Sequence, residues 1–204
     1  MLIPWRIDLL ATGSRQVSGQ NLTTFREWLQ ASKWRSFREW FIVVFVALLA
    51  AFLIRATLVQ TYFIPSESMT PTLAVGDRLM VYKLAFTLGD ADRGDLVVFN
   101  RPSHMETSNI NDFVKRVIGV EGERIRADGG MVYVDDRPLN EQYLPPDVYT
   151  SDFPDTKIPP DHVFVMGDNR PSSRDSRSFG PIHKNLLVGE VFLRLWPFDS
   201  IGRP

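Results

Sequence analysis

The chain has 204 residues, 44% hydrophobic, 23% charged and 12% aromatic, a balance that supports a folded core and excludes a disordered chain. Its 23 Lys and Arg against 24 Asp and Glu leave a formal net charge of −1, so no basic excess points to nucleic acid. With no cysteine and three histidines, a disulfide framework, a thiol nucleophile and an obvious zinc site are excluded. The chemistry must run on hydroxyls, carboxylates, lysines or those histidines.

The near-neutral total hides an asymmetry. Residues 1–38 carry six basic side chains against two acidic ones, a local charge of +4, and the remainder of the chain carries −5. Between them runs Trp40 to Ile54, fifteen apolar residues without a break, extended through Leu58 and Val59 if Arg55 snorkels to headgroups. The spacing predicts a transmembrane helix over residues 39–59, which would rise about 30 Å. A buried core helix is the plainer alternative, but the run is apolar all round, Trp40 and Tyr62 flank it, and the basic excess lies upstream. A cleaved secretory leader does not fit, because the run starts some forty residues in. The charge bias places the tail of residues 1–38 in the cytoplasm and residues 60–204 outside.

From Ile64 onward the character changes: 13 of the 14 prolines and 11 of the 13 glycines fall here. They separate short β-rich runs at Arg78–Lys83, Asp95–Phe99, Phe113–Gly119, Met131–Val134, His162–Met166 and Val191–Trp196. Asp128-Gly129-Gly130 and Asp135-Asp136 are hairpin-type turn signals around Met131–Val134. The expected fold is mainly β, an antiparallel sheet domain with Pro-rich loops behind one transmembrane helix.

Three segments look chemical. Ile64-Pro65-Ser66-Glu67-Ser68-Met69-Thr70-Pro71-Thr72-Leu73 places two hydroxyls two residues apart between prolines. In an extended backbone Ser66 and Ser68 share a side, although a linker would have a similar composition. In Phe113-Val114-Lys115-Arg116-Val117-Ile118, period-two alternation sets Lys115 between Phe113 and Val117, and Arg116 between Val114 and Ile118. A lysine so placed loses hydration and its pKa falls, whereas an arginine keeps its charge and must find a carboxylate; an edge strand with protective charges reads the same way. The loop Gly167 to Gly180 holds two Asp, three Arg and four Ser, either a solvated turn or an ion-pair network around a site.

In this order, and behind a single anchor, these segments resemble the type I signal peptidases, or leader peptidases. The family's Pro-Ser-x-Ser-Met-x-Pro-Thr-Leu is met by Pro65 to Leu73, its Gly-Asp followed by a strand ending in Lys by Gly76-Asp77 through Lys83, and its Arg-Gly-Asp-Leu-Val-Val-Phe strand by Arg93 to Phe99. Its Lys-Arg-Val-x-Gly-x-x-Gly is met by Lys115 to Gly122, and its Gly-Asp-Asn-x-x-x-Ser-x-Asp-Ser-Arg by Gly167 to Arg177. The five motifs fall in the family's order, and the resemblance as a whole covers residues 38–196.

The resemblance implies a serine endopeptidase with a Ser/Lys dyad: Ser68 as nucleophile, Lys115 as general base, and the Ser66 hydroxyl with the Ser68 N–H as oxyanion hole. It implies that Ser173 accepts a hydrogen bond from Lys115 and orients it, and that Arg116, Asp168, Asp175 and Arg177 form structural ion pairs beneath the dyad. Tyr62, Ile64, Pro65, Met69, Leu73 and Val114 would line shallow pockets for small side chains. The substrates implied are signal peptides of exported preproteins, cut after small-x-small sites close to a lipid bilayer, with no metal, organic cofactor or obligate protein partner. The stretch from about 125 to 160, where the family inserts a variable β subdomain, is short. The membrane implied is the cell membrane, crossed once; a thylakoid or organellar inner-membrane enzyme would look the same. A Ser/His/Asp hydrolase using His104, His162 or His183 lacks the Gly-x-Ser-x-Gly elbow, and a non-catalytic anchored β module is the rival from another class.

Overall fold

The structure is a computed structural model that describes residues 37–54, 58–103, 105 and 111–204. The chain divides into two units, residues 1–51 and 52–204. Helix α1, Phe37–Ile54, is the one described helix long and apolar enough to cross a membrane. Its residues are exposed except Val44, which is half-buried, so among the described residues nothing covers an apolar surface that a water-facing helix would hide on one side. Residues 1–36 of the basic tail, Arg55 and His104 lie outside the described residues. Leu58 is helical, but Val59 opens a strand and pairs with Tyr82. The expected 39–59 span therefore overruns at its last residue, because a β-branched residue followed by Gln60, Thr61 and Tyr62 suits a half-exposed pleat.

The described residues of the second unit form eleven strands: β1 Val59–Phe63, β2 Arg78–Tyr82, β3 Leu96–Asn100, β4 Asp112–Gly119, β5 Arg124–Asp128, β6 Met131–Val134, β7 Arg137–Pro138, β8 Phe153–Lys157, β9 His162–Met166, β10 Ile182–His183 and β11 Leu187–Trp196. All pairings are antiparallel. A seven-stranded sheet runs β1-β2-β11-β3-β4-β9-β10, and a four-stranded sheet runs β7-β6-β5-β8. The six β-rich runs of the sequence correspond to β2, β3, β4, β6, β9 and β11, with the same bounds for β6 and β9 and shifted ends for the others.

The continuous apolar run of β3 follows from burial on both faces. Leu96 and Val98 join Ile64, Met69, Leu73, Leu79, Val81 and Val191 in one cluster, whereas Val97 and Phe99 join Val117, Val163, Val165 and Ile182 in another. Each such side chain contributes about 1.5–3 kcal/mol when fully buried. A third cluster, around Ile118, Ile125, Ile158, Phe164 and Met166, joins the small sheet to the large one. The hairpin β5–β6 turns through Gly129 and Gly130, at φ 58° and 89°, a left-handed pair that glycine adopts at least cost.

Register places the chemistry. In the β3–β4 ladder Val97 faces Lys115 and Leu96 faces Arg116. On the other edge of β4, β9 pairs only from Arg116 onward. Residues 112–115 are therefore left without a strand partner on that edge among the described residues.

Candidate active site

The segment after β1 is pinned before it presents its hydroxyls. Ile64 N–H donates to the Asp77 carbonyl at 3.0 Å, and the Ile64 carbonyl accepts from Gly76 N–H at 2.9 Å. Ile64 and Met69 are buried, so the chain between them must arch outward, which leaves Ser66 exposed and Ser68 half-buried. The two hydroxyl oxygens lie 3.4 Å apart. A turn closes behind them, with Thr70 N–H on the Glu67 carbonyl and Leu73 N–H on the Met69 carbonyl.

Lys115 meets this arch from β4. Its side chain is 3% exposed, and its Nζ donates to Ser68 Oγ at 2.6 Å and to the Val114 carbonyl at 3.0 Å. Burial pushes its pKa down to about 8, against the opposing pull of Asp175 and Asp168, with Arg177 adding a smaller push downward. A buried amine at this distance from a hydroxyl is equipped to exchange a proton with it.

Beneath the pair lies a network of charges. Arg116 forks onto Asp168 with Nε···Oδ1 3.0 Å and Nη2···Oδ2 2.7 Å, and donates to the Gly94 carbonyl at 2.8 Å. Asp168 also accepts from the Thr72 hydroxyl at 2.6 Å. Asp175, fully buried, caps the short helix α2, Ser176–Phe179, through Arg177 N–H, accepts Gly167 N–H at 3.0 Å and pairs with the Arg177 guanidinium at 2.8 Å. Gly167 is required by close approach. A Cβ there would fall 2.2 Å from Ser173 Oγ and 2.4 Å from the Ser68 carbonyl oxygen.

Ser173 departs from expectation. Its hydroxyl is buried and has no hydrogen-bond partner among the described residues, so the bond expected from Lys115 is not made; the amine's donors point instead to Ser68 and Val114. Leu73 is a second correction. It is fully buried in the core beneath the arch and does not line the cleft, because the Met69–Leu73 turn swings it inward. The cleft, about 260 Å³, is walled by Tyr62, Ile64, Pro65, Met69 and Val114, with Ser66, Ser68 and Lys115 at its floor. Phe63, Asp112, Phe113, Ser172 and Arg174 complete it and were not anticipated. Tyr62 has its pKa raised by burial and by Asp112, which keeps the phenol neutral. His162 and His183 face each other across β9 and β10 with ring centroids 4.9 Å apart, and neither lines the cleft.

The family model for signal peptidase, peptidase S26, matches residues 37–196. The chain belongs to this signal peptidase family. A probable signal peptidase I-2 of Synechocystis is 39% identical over 158 residues, covering 76% of this chain and 72% of the relative. Signal peptidase I of Bacillus caldolyticus is 38% identical over 171 residues, covering 78% and 91%. Signal peptidase IB of Staphylococcus aureus is 34% identical over 179 residues, covering 79% and 91%. A crystal structure of a signal peptidase I from Enterococcus faecalis is similar over 50% of this chain and 97% of its own, with 28% identity and a TM-score of 0.43.

Within this signal peptidase fold, sequence reasoning missed a second rank of side chains. Arg170 is 1% exposed; it donates to both carboxylate oxygens of Glu141, to Thr150 Oγ1 and to the Gly167 carbonyl. The Tyr143 hydroxyl donates to Glu141 at 2.5 Å, and its ring lies under the Arg116 guanidinium, 4.0 Å from centroid to Cζ. Burial and then the Glu141 charge push the Tyr143 pKa far up, so the phenol stays a donor. The one available signal was that Arg170 interrupts a loop otherwise matched to a motif; its side-chain partners Glu141 and Thr150 lie 29 and 20 residues upstream.

Proposed function

We propose that this chain is a membrane-anchored serine endopeptidase that removes N-terminal signal peptides from exported preproteins, with Ser68 as nucleophile and Lys115 as general base. The observation that carries the reading is the 2.6 Å approach of a buried Lys115 Nζ to Ser68 Oγ. With its pKa near 8, about one amine in ten is neutral at pH 7, against about one in three thousand at the ordinary value of 10.5. The neutral amine accepts the Ser68 proton as Oγ attacks the scissile carbonyl. The tetrahedral intermediate then expels the mature chain's amine, which takes that proton from Lys115, and water hydrolyses the acyl-enzyme by the same relay. Ser66 Oγ and the Ser68 N–H supply donors to the developing oxyanion.

Substrate geometry follows from the free edge of β4. An extended peptide adding to residues 112–115 would satisfy that edge with main-chain hydrogen bonds and set alternate side chains into the shallow cleft. The apolar wall of Tyr62, Ile64, Pro65, Met69 and Val114 supports acceptance of apolar side chains at alternate positions, in keeping with the small-x-small sites that the family resemblance implies. The apolar helix Phe37–Ile54 supports single-pass anchoring, and the basic tail supports a cytoplasmic N-terminus in a bacterial cell membrane. The test uses detergent-solubilised protein and a preprotein bearing an Ala-x-Ala site, with the product N-terminus read by mass spectrometry. The wild type is expected to yield the mature N-terminus and Ser68→Ala none. Equal cleavage by both, or by neither, would overturn the reading.

A further inference from the structure

The small sheet lies apart from the reacting groups, yet the segment that leaves it reaches under them. Between β7 and β8 the chain makes two turns, Leu144 N–H on the Glu141 carbonyl and Val148 N–H on the Pro145 carbonyl, before Thr150 N–H returns to the Gly130 carbonyl. These turns deliver Glu141, Tyr143 and Thr150 to one place. There, Arg170 binds Glu141 through both Nη atoms, with Nη1···Oε2 at 3.0 Å, and donates Nη1 to Thr150 Oγ1 at 2.8 Å. Its Nε donates to the Gly167 carbonyl at 3.1 Å, and its own carbonyl accepts from Arg177 at 2.7 Å.

We infer that Glu141 and Arg170 form a clamp that positions the Ser68–Lys115 pair, making the segment after the small sheet part of the catalytic scaffold. The inference rests on the roles given to Ser68 and Lys115 above. The path is short and each link is a contact. Arg170 fixes the Gly167 carbonyl; Gly167 packs so closely on the Ser68 carbonyl and Ser173 Oγ that a Cβ would not fit; and Asn169 N–H holds the Ser68 carbonyl at 3.1 Å, while its side-chain amide holds the Glu67 carbonyl at 3.0 Å. A displacement of residues 167–170 therefore moves the backbone of the nucleophile. Through Tyr143 the same segment covers the Arg116 guanidinium, the neighbour of Lys115 on β4. None of the clamp residues lines the cleft, so substrate affinity does not depend on them directly. A shift of about 1 Å between attacking and accepting groups costs on the order of a hundredfold in rate.

The experiment separates positioning from stability. Removing Glu141 alone (Glu141→Leu) strands a buried guanidinium and is expected to lower the thermal midpoint. The double variant Glu141→Leu/Arg170→Met removes both charges and is expected to regain the midpoint while leaving kcat on Ala-x-Ala preprotein about tenfold or more below wild type, with KM within twofold. Arg170→Lys keeps the charge but cannot hold Glu141, Thr150 and Gly167 together, and is expected to lose kcat with KM unchanged. Recovery of both midpoint and kcat in the double variant, or full kcat in Arg170→Lys, would overturn the clamp. If the double variant does not fold, Arg170→Lys decides alone. Cleavage by the wild type tests the dyad reading; only the ratio of variant to wild type tests the clamp.

Discussion

Lys115 and Arg116 are neighbours on one strand, both cationic and nearly equally buried, at 3% and 6% exposure, yet their surroundings differ completely. The Arg116 position opens on Asp168, which meets the guanidinium with two parallel hydrogen bonds, and on the Gly94 carbonyl and the Tyr143 ring. The Lys115 position opens on a hydroxyl and a carbonyl, with its carboxylates too remote to offset burial. Equal burial thus yields a fixed charge on one side of the strand and a titratable amine on the other. What separates them is the placement of one carboxylate and the difference between a guanidinium, which keeps its proton, and an amine, which can lose it.

The largest effect is expected from making the two sides alike. Lys115→Arg should abolish cleavage as completely as Lys115→Ala or Ser68→Ala, because no guanidinium gives up its proton near neutral pH. The Ser68→Ala/Lys115→Ala double variant should be no worse than either single one, since groups acting as a unit do not add. Turnover assays on preprotein with product detection by mass spectrometry check this; activity in Lys115→Arg would break the contrast.

Titration gives the next effect. Below its pKa of about 8 Lys115 is mostly ammonium, so kcat/KM should fall towards tenfold per pH unit there, about fiftyfold between pH 8 and 6, and level off above pH 8. The same depressed pKa affects stability. Between about pH 8 and 10.5 the unfolded lysine binds a proton that the folded one has released, so folding stability gains from this group as pH rises through that window, and the burial penalty is fully present below pH 8. Comparing denaturant midpoints of wild type and Lys115→Met across pH 7–10.5 isolates the contribution; parallel curves would mean that Lys115 is solvated.

On the Arg116 side the expected loss is of fold rather than chemistry. Arg116→Met leaves Asp168, 1% exposed, without its countercharge and should cost about 3–5 kcal/mol, read as a lowered thermal midpoint. Arg116→Met/Asp168→Asn should recover part of it. In both variants the folded fraction should keep its acidic kcat/KM limb, because Lys115, the proposed base, is untouched. Loss of that limb would show that Arg116 takes part in the proton transfer.

This contrast was half legible in the sequence. Alternation in Phe113–Ile118 places each cation among apolar neighbours, and the five ordered motifs gather Ser68, Lys115 and the 167–177 loop before any coordinate is consulted. The strands that carry polar residues were not legible: β5, Arg124–Asp128, offers only Ile125 and Ala127 between three charged residues, β8, Phe153–Lys157, sets Asp155 and Lys157 on the face of Phe153 and carries Pro154, and in the sequence β1 follows the apolar run too closely to be separated from it. Leu73 was misplaced because a motif fixes neighbours in sequence, while a five-residue turn decides which of them faces the core. Glu141 and Tyr143 carry no local pattern at all. Their meaning arises only where Arg170, 29 residues beyond Glu141, folds back onto them.

Ser173 gives the smallest effect and the finest test. Its buried hydroxyl finds no partner among the described residues, an arrangement that costs about 1–3 kcal/mol relative to a satisfied group. Lys115, when an ammonium, has three hydrogens and places two, on Ser68 Oγ and the Val114 carbonyl. The two shortfalls are complementary. In the proposed mechanism Lys115 takes the Ser68 proton during attack, its charge rises in a dry site, and the Ser173 oxygen is the unsatisfied acceptor that the third hydrogen would seek. The proposed bond would therefore strengthen on the way to the transition state instead of existing at rest, as a catalytic hydrogen bond is permitted to do. Ser173→Ala should then leave the thermal midpoint unchanged or slightly raised, because an unsatisfied group has been removed, and lower kcat by about tenfold or less with KM unchanged. A lowered midpoint with kcat intact would assign Ser173 to packing against Gly167 and leave Lys115 oriented by Val114 alone.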